Sequence, residues 1–313
     1  MGKGFSFVFF LMLLLCIAGC HSRAIKQQGS EIATVGVSTS EQLARFYESL
    51  ADDTVDSHEF NAFREGVVDV EVIEGADKRD QTLTENLAAL KSRALLAAKM
   101  KGVYEALGAL SGSDTATATR TAAEGLAGAV LAVRSAPLAD PSANGTKTLV
   151  GLIAEDLMLY LQSKEILKAE KLARELEKSL QELFEIEKET YQSIARFRAE
   201  KAGTVALGML SRKELNPWPL IQRVLLPYGV VVQDTKAFPA NADTLKGFEK
   251  LLIARTRRLA RLSDLASSDM AGGLSKLAKA HSEFPVTRSL DDAIANTQRV
   301  KAYLDAMALI RNH

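Results

Sequence analysis

Five side chains of the types that bind metals or transfer protons lie close together near the start of the chain. They are Asp52, Asp53, Asp56, His58 and Glu59. Their spacing matches no established metal-binding motif, and helix ends commonly collect such residues as caps or solvated groups. His281 and His313 have no potential ligand beside them in the sequence. We therefore predict neither a metal site nor a catalytic group. A hydrolase that depends on His58 and its neighbouring carboxylates is kept as an alternative.

The chain lacks the motifs of common catalytic and nucleotide-binding sites. It has no Gly-x-Ser-x-Gly elbow, no Walker loop and no dinucleotide fingerprint. Its only cysteines are Cys16 and Cys20, so we expect no disulfide and no cysteine-based metal site in the rest of the chain. The 39 basic and 39 acidic residues balance, which argues against electrostatic binding of nucleic acid. The sequence thus predicts a protein that is not an enzyme and has no cofactor, metal or nucleic-acid partner.

Four arginines and one tryptophan in the C-terminal third are candidate interaction residues. The arginines are Arg255, Arg257, Arg258 and Arg261. Such a cluster binds anionic lipid headgroups or an acidic partner helix, or it is a solvated face with salt bridges to neighbouring helices. Trp218 lies between two prolines, where a tryptophan forms a packed corner or, if exposed, marks an interface.

The first twenty residues have the layout of an export signal. Lys3 precedes an apolar run, Phe5 to Leu15, which is shorter than the about 20 residues needed to span a membrane. The run ends in Ile17-Ala18-Gly19-Cys20, which resembles the lipobox of bacterial lipoproteins. The resemblance implies that residues 1–19 are a signal peptide and that Cys20 becomes the acylated, palmitate-bearing N-terminus. An ordinary cleaved signal peptide or a short anchor is the alternative.

The same resemblance implies a cellular address. A lipoprotein of this kind is held at a bacterial membrane by its acyl groups, which contribute about 0.8 kcal/mol for each buried methylene. His21, rather than Asp, follows Cys20, which favours the outer membrane, facing the periplasm, over the inner membrane. Residues 20–37 are polar and show no helical period, so we expect a lipidated tether that holds the body off the membrane.

The body of the protein, residues 38–313, is predicted to be mostly α, an elongated helical bundle around one long helix at about 147–210. Apolar or small residues recur there at alternating spacings of three and four, which predicts a coiled-coil-like seam that faces a partner helix. They are Ala169, Leu172, Leu176, Ser179, Leu183, Ile186, Thr190, Ser193 and Phe197. Two prolines, at 217 and 219, end the helix.

Shorter helices are expected to pack along this element. Residues 41–64 predict a helix that is broken or bent at 52–54, and residues 80–110 predict a second helix. The C-terminal helical part, about 242–313, is expected to break at Gly272-Gly273. Alternating valines in 68–72 and a valine run in 229–233 predict a small two-stranded β element at one end of the bundle.

Two functions remain open at this stage. The long seam and the missing catalytic motifs favour a structural or protein-interaction scaffold, whose partner is an envelope protein or a second copy of the chain. The alternative is a membrane-active protein that resembles helical pore-forming toxins. It would insert an apolar hairpin, residues 94–133, into a bilayer. Several charged residues interrupt that hairpin. Its small residues also fit tight packing against the long helix.

Overall fold

The described part of the chain is a helical bundle, which confirms the predicted fold class. A computed structural model describes residues 3–66, 73–112, 166–225, 238–239, 241–284 and 290–312. The helices are α1 (Lys3–Gly66), α2 (Ile73–Gly112), α3 (Ile166–Ser211), α4 (Trp218–Leu225), α5 (Ala242–Ser282) and α6 (Asp291–Asn312). Those ranges contain no strand. The predicted β pair, at 68–72 and 229–233, lies outside them.

Contacts between side chains fix the direction of each helix. Helix α1 meets α6 first through Thr39 and Thr297 and later through Asp53 and Arg311. It meets α3 first through Phe46 and Phe184 and later through Asp53 and Arg198, so these three helices run the same way. Arg93 of α2 meets Glu187 of α3. Because Arg93 precedes Tyr104, which contacts the earlier part of α3, α2 runs in the opposite direction. Helix α5 is also antiparallel to α3. Its late residue His281 lies beside Tyr104, near the early part of α3, whereas its earlier residue Asp264 meets Arg196 in the later part of α3. The result is a bundle of alternating direction with α1 at its centre.

Helix α1 corrects the expected tether. Residues 28–37 are helical and belong to the core, where Ile32, Ala33 and Val35 are buried. Gly29 lies against the Ser111 hydroxyl, and Gly36 lies against the Tyr104 ring. The glycine-containing composition that suggested a flexible tether therefore reflects close helix packing, which needs small residues. Lipidation of Cys20, which lies within α1, stays a prediction.

The predicted break at Gly272-Gly273 is wrong, and so is a break, as opposed to a bend, at 52–54. Helix α1 continues through residues 52–54, where the Thr54 and Ser57 hydroxyls donate to the Leu50 and Asp53 carbonyl oxygens one turn earlier. Helix α5 continues through residues 272–273. Gly272 lies close to the side-chain amide of Asn296 of α6, which an added methyl group would have to displace, and Gly273 is in ordinary contact with Asn296. At 272–273 packing against α6 outweighs the low helix propensity of glycine, and at 52–54 Asp53 binds Arg198 and Arg311 of two other helices.

The long helix is confirmed over residues 166–211 and ends before the two prolines, as predicted. Its expected first part, 147–165, lies outside the described residues. The C-terminal helical part is confirmed as α5 and α6. The first limb of the hairpin 94–133 lies in α2, where its apolar side packs into the core through residues such as Ala97 and Met100. Its second limb, 113–133, is not described. Within the described ranges, no helix is long and apolar enough to cross a membrane.

The predicted seam of α3 is only half correct. Leu176 and Leu183 are buried, but Ile186 is 65% exposed and Phe197 is 40% exposed. The buried side instead repeats every eleven residues, from Ala173 to Phe184 to Ala195. An eleven-residue period follows an almost straight helix, whereas a 3.5-residue period drifts about 20° around it for each heptad. The seam therefore turns away from the core and reaches solvent.

Gly36→Ala is expected to destabilise the fold by about 1–3 kcal/mol, because a methyl group there would overlap the Tyr104 ring in a closely packed core. Gly102→Ala is the matched control, since nothing lies near its α-hydrogen. It should stabilise α2 by up to about 1 kcal/mol. Urea unfolding followed by circular dichroism measures both. Equal stabilities for the two variants would contradict the close approach of α1 to α2.

Candidate functional site

A polar cluster lies fully buried where α2, α3 and α5 meet. Tyr104 of α2 donates a hydrogen bond from its hydroxyl to Glu177 Oε2 of α3 at 2.9 Å. The same hydroxyl lies 2.9 Å from His281 Nε2 of α5. All three residues are at most 1% exposed. The three side chains form one continuous chain of hydrogen bonds, but no substrate can reach it from the surface.

Glu177 is the carboxyl group of this cluster. Burial raises the pKa of Glu177 to about 8, and the hydrogen bond from Tyr104 opposes the rise only in part. Glu177 Oε1 has no hydrogen-bond partner among the described residues, and it is buried. The carboxyl group is therefore mostly protonated at neutral pH. In that state it can donate to Tyr104, which then donates to His281, so the hydrogen-bond chain can run in either direction.

A second polar cluster lies further along α3. Arg93 of α2 donates to both carboxylate oxygens of Glu187, and the Tyr191 hydroxyl donates to the same carboxylate. Tyr47 and Tyr191 pack edge to face at 5.5 Å, together with two phenylalanine rings. Burial raises the pKa of both tyrosine hydroxyls well above its ordinary value. Burial lowers the pKa of Arg93, but its bonds to Glu187 more than offset that effect. Both ends of this ion pair are thus satisfied without water.

The acidic cluster in the sequence forms a third layer. Asp53 is 2% exposed and binds Arg311 at 2.6 Å. Arg198 lies 3.5 Å from Asp53 and 2.6 Å from Asp56. Burial raises the pKa of Asp53 to about 6, against the lowering effects of Arg311 and Arg198. These carboxylates join three helices.

The rest of the acidic cluster is dispersed around α1. Asp52 and Glu59 are exposed and His58 is half-buried. In the described ranges, no group of three metal-binding side chains is close enough to hold an ion. His281, which has no potential ligand beside it in the sequence, belongs to the Tyr104 cluster instead. His313 lies outside the described residues.

The arginine cluster divides into two parts. Arg255 donates to the carbonyl oxygen of Ile310 in the last turn of α6, where a cation also complements the helix dipole. Arg257, Arg258 and Arg261 are exposed. Trp218 is half-buried at the start of α4, and its backbone N–H donates to the Asn216 side chain at 3.0 Å. The structure therefore brings the predicted residues to separate places.

Sequence reasoning missed Arg93, Tyr104, Glu177 and Glu187. A signal was present, because Arg93 stands at helical spacing between the apolar Leu90 and Ala97, and Glu177 stands likewise between Ala173 and Leu180. Charged residues at core positions of a helix are almost always paired when buried. The clusters hold helices together, and we find no exposed group positioned for catalysis in the described ranges. Comparison with protein-family models, curated proteins and solved structures finds no match to this chain.

Asp53→Ala is expected to destabilise the protein by about 3–5 kcal/mol, because it removes a buried carboxylate and leaves two half-buried arginines without part of their counter-charge. Asp305→Ala removes an exposed ion pair with Arg45 and should cost no more than about 1 kcal/mol. Urea midpoints of the two variants, measured side by side, check the difference. A small effect for Asp53→Ala would mean that the layer does not hold the bundle together.

Glu177→Gln is expected to remove part of the pH dependence of stability. Folding raises the pKa of Glu177 from 4.5 to about 8, so the folded protein binds a proton that the unfolded chain has lost. That contribution is complete below the unfolded pKa, falls by about 1.4 kcal/mol per pH unit and is lost as pH rises through about 8. Glutamine does not titrate.

The measurement is the free energy of unfolding of both proteins between about pH 6.5 and 8, above the pKa of Asp53. The wild type should lose stability relative to Glu177→Gln across this interval. Glu105→Gln, an exposed carboxylate on α2, is the control and should follow the wild type. Parallel curves for wild type and Glu177→Gln would show that Glu177 is already ionised in the fold.

Proposed function

We propose that this protein is a lipid-anchored component of a bacterial envelope that acts as a structural or protein-interaction scaffold, without catalysis. The anchor is Cys20, acylated after removal of residues 1–19. The location is the outer membrane, with the body in the periplasm. The lipobox-like Ile17-Ala18-Gly19-Cys20 supports the address. The helical bundle supports the scaffold role.

The observation that carries the scaffold proposal is the exposed face of α3. Ile186 is 65% exposed and Phe197 is 40% exposed, and they lie three helical turns apart on one side of a rigid helix. A buried partner helix would normally cover such residues. Meanwhile the residues that could have served in catalysis, among them Asp53 and His281, are engaged in contacts between helices. Packing is therefore the activity that this surface can perform.

The pore-forming alternative receives less support. The apolar side of its first limb, in α2, is buried against α1, and inserting it into a bilayer would require the core to open. The scaffold proposal uses the fold without such a change. We therefore retain the scaffold as the function that the geometry favours.

The test is photo-crosslinking in intact bacteria with a photo-reactive residue at Glu185, an exposed position next to Ile186. Adducts with one dominant envelope protein, or with the chain itself, are expected. The same residue at Lys301, exposed on α6, is the control position and should give fewer adducts. Cys20→Ser should release the protein from the membrane fraction and reduce the adducts. The absence of adducts at both positions would contradict the scaffold function.

A further inference from the structure

An acidic row lies on the exposed face of α3. Its members are Glu182, Ile186, Glu189 and Phe197. At about 100° per residue these positions fall within a sector of about 80° around the helix axis. All four side chains are exposed. The row therefore presents one carboxylate on each side of Ile186 and the aromatic ring of Phe197 further along the helix.

A basic row lies on the exposed face of α5. Its members are Lys250, Ile253, Arg257 and Arg261. They fall within a similar sector, and Ile253 is 39% exposed between cations. Among the described residues, none of these three cations has a carboxylate within ion-pair distance. Most other described arginines do have one. They are Arg45, Arg93, Arg174, Arg196, Arg198, Arg212, Arg299 and Arg311.

The two rows lie on neighbouring helices and on the same side of the bundle. Arg196 of α3 and Asp264 of α5 form a bidentate ion pair across the groove between the helices, at 2.9–3.2 Å. Both side chains remain partly exposed, at 52% and 32%. Asp264 lies on the same face of α5 as the basic row, two turns after Arg257. The ion pair therefore marks the level at which the two exposed faces meet.

The rows are placed symmetrically about this ion pair. Glu182 precedes Arg196 by 14 residues, and Lys250 precedes Asp264 by 14. Glu189 and Arg257 each precede the same pair by 7 residues. Because α3 and α5 are antiparallel, the acidic row extends one way from the ion pair and the basic row extends the other way. The corresponding distances along the helices are about 21 Å and about 10 Å.

We propose that a second copy of this chain docks on these rows as an antiparallel dimer, with the two-fold axis near the Arg196–Asp264 ion pair. Rotation about this axis reverses the direction of each helix in the second copy. Glu182 therefore meets Lys250 of the second copy, and Glu189 meets its Arg257. Ile186, 10 residues before Arg196, meets Ile253, 11 residues before Asp264. Each contact occurs twice, as in any isologous interface. The apolar pair is enclosed by opposite charges, the usual arrangement of an interface core and rim.

The charges beside the rows do not oppose this arrangement. Lys178 lies about 80° around α3 from Ile186, at the flank of the acidic row, where it is ion-paired with Glu182 at 3.9 Å. Lys201 lies over the Phe197 ring at 4.6 Å. Arg255 is turned toward α6 and takes no part. The dimer rests on the proposed scaffold function and identifies its partner.

The experiment exchanges charge between the rows. The acid-reversed variant carries Glu182→Lys and Glu189→Lys, and the base-reversed variant carries Lys250→Glu and Arg257→Glu. Each variant alone places like charges opposite each other, so its self-association should be weakened at least about tenfold relative to wild type. A mixture of the two variants restores every opposite-charge contact. It should form a heterodimer with an affinity close to that of the wild type.

Analytical ultracentrifugation of the full acylated chain in detergent micelles measures the association, and circular dichroism checks that each variant is folded. A control with Lys91→Glu and Lys99→Glu changes two exposed cations on α2 and should leave the dimer intact. A monomeric wild type would overturn the dimer, as would a dimer indifferent to both variants.

Two further results also decide the matter. If only the base-reversed variant loses association, the basic row binds an anionic lipid carried by the micelle, and the dimer is overturned. A monomeric protein that still crosslinks another envelope protein through Glu185 would overturn the dimer but leave the scaffold function standing. The dimer is supported if both variants lose self-association and their mixture recovers it.

Discussion

Burial of ionisable side chains between the helices is the constraint on which the bundle depends. An apolar interface permits helices to slide by a turn, whereas a buried charge without its partner is strongly unfavourable. Three polar layers occur along α3, at Glu177, Glu187 and Arg198, separated by 10 and 11 residues. Each meets a different set of helices. Together they fix the register of the bundle at three heights, about 15 Å apart.

The interval between these layers also explains which side of α3 is buried. An eleven-residue period corresponds to three turns of an almost straight helix, so the polar layers and the small residues Ala173 and Ala195 stay on one side. The predicted seam followed a different period and left the core after Leu183. The exposed positions of Ile186 and Phe197 are consequences of that geometry, and they make one face of α3 available for association.

The helical class, the end of α3 and the two C-terminal helices could be predicted because periodicity and proline are local signals. The continuity of α1 and α5 could not, because it depends on contacts far apart in sequence. Gly36 suggested a flexible tether and Gly272 a helix break, and only the contacts with Tyr104 and Asn296 show otherwise. The buried clusters could not be predicted for the same reason, because Tyr104 contacts His281 across 177 positions of sequence. Single charged residues at core positions were the only local evidence.

Helix α1 runs without interruption from the proposed anchor at Cys20 into the core. If Cys20 is acylated as proposed, no break in α1 separates the acyl groups from the bundle, and the membrane would then set the tilt of the whole bundle. Cys20 lies 33 residues before Asp53, or about 50 Å along the helix, and Asp53 is near the level of the proposed two-fold axis. In the antiparallel pair the two anchors therefore point to opposite ends, on the order of 100 Å apart. Such a pair either lies along one bilayer with both ends attached to it or connects two separate membrane surfaces.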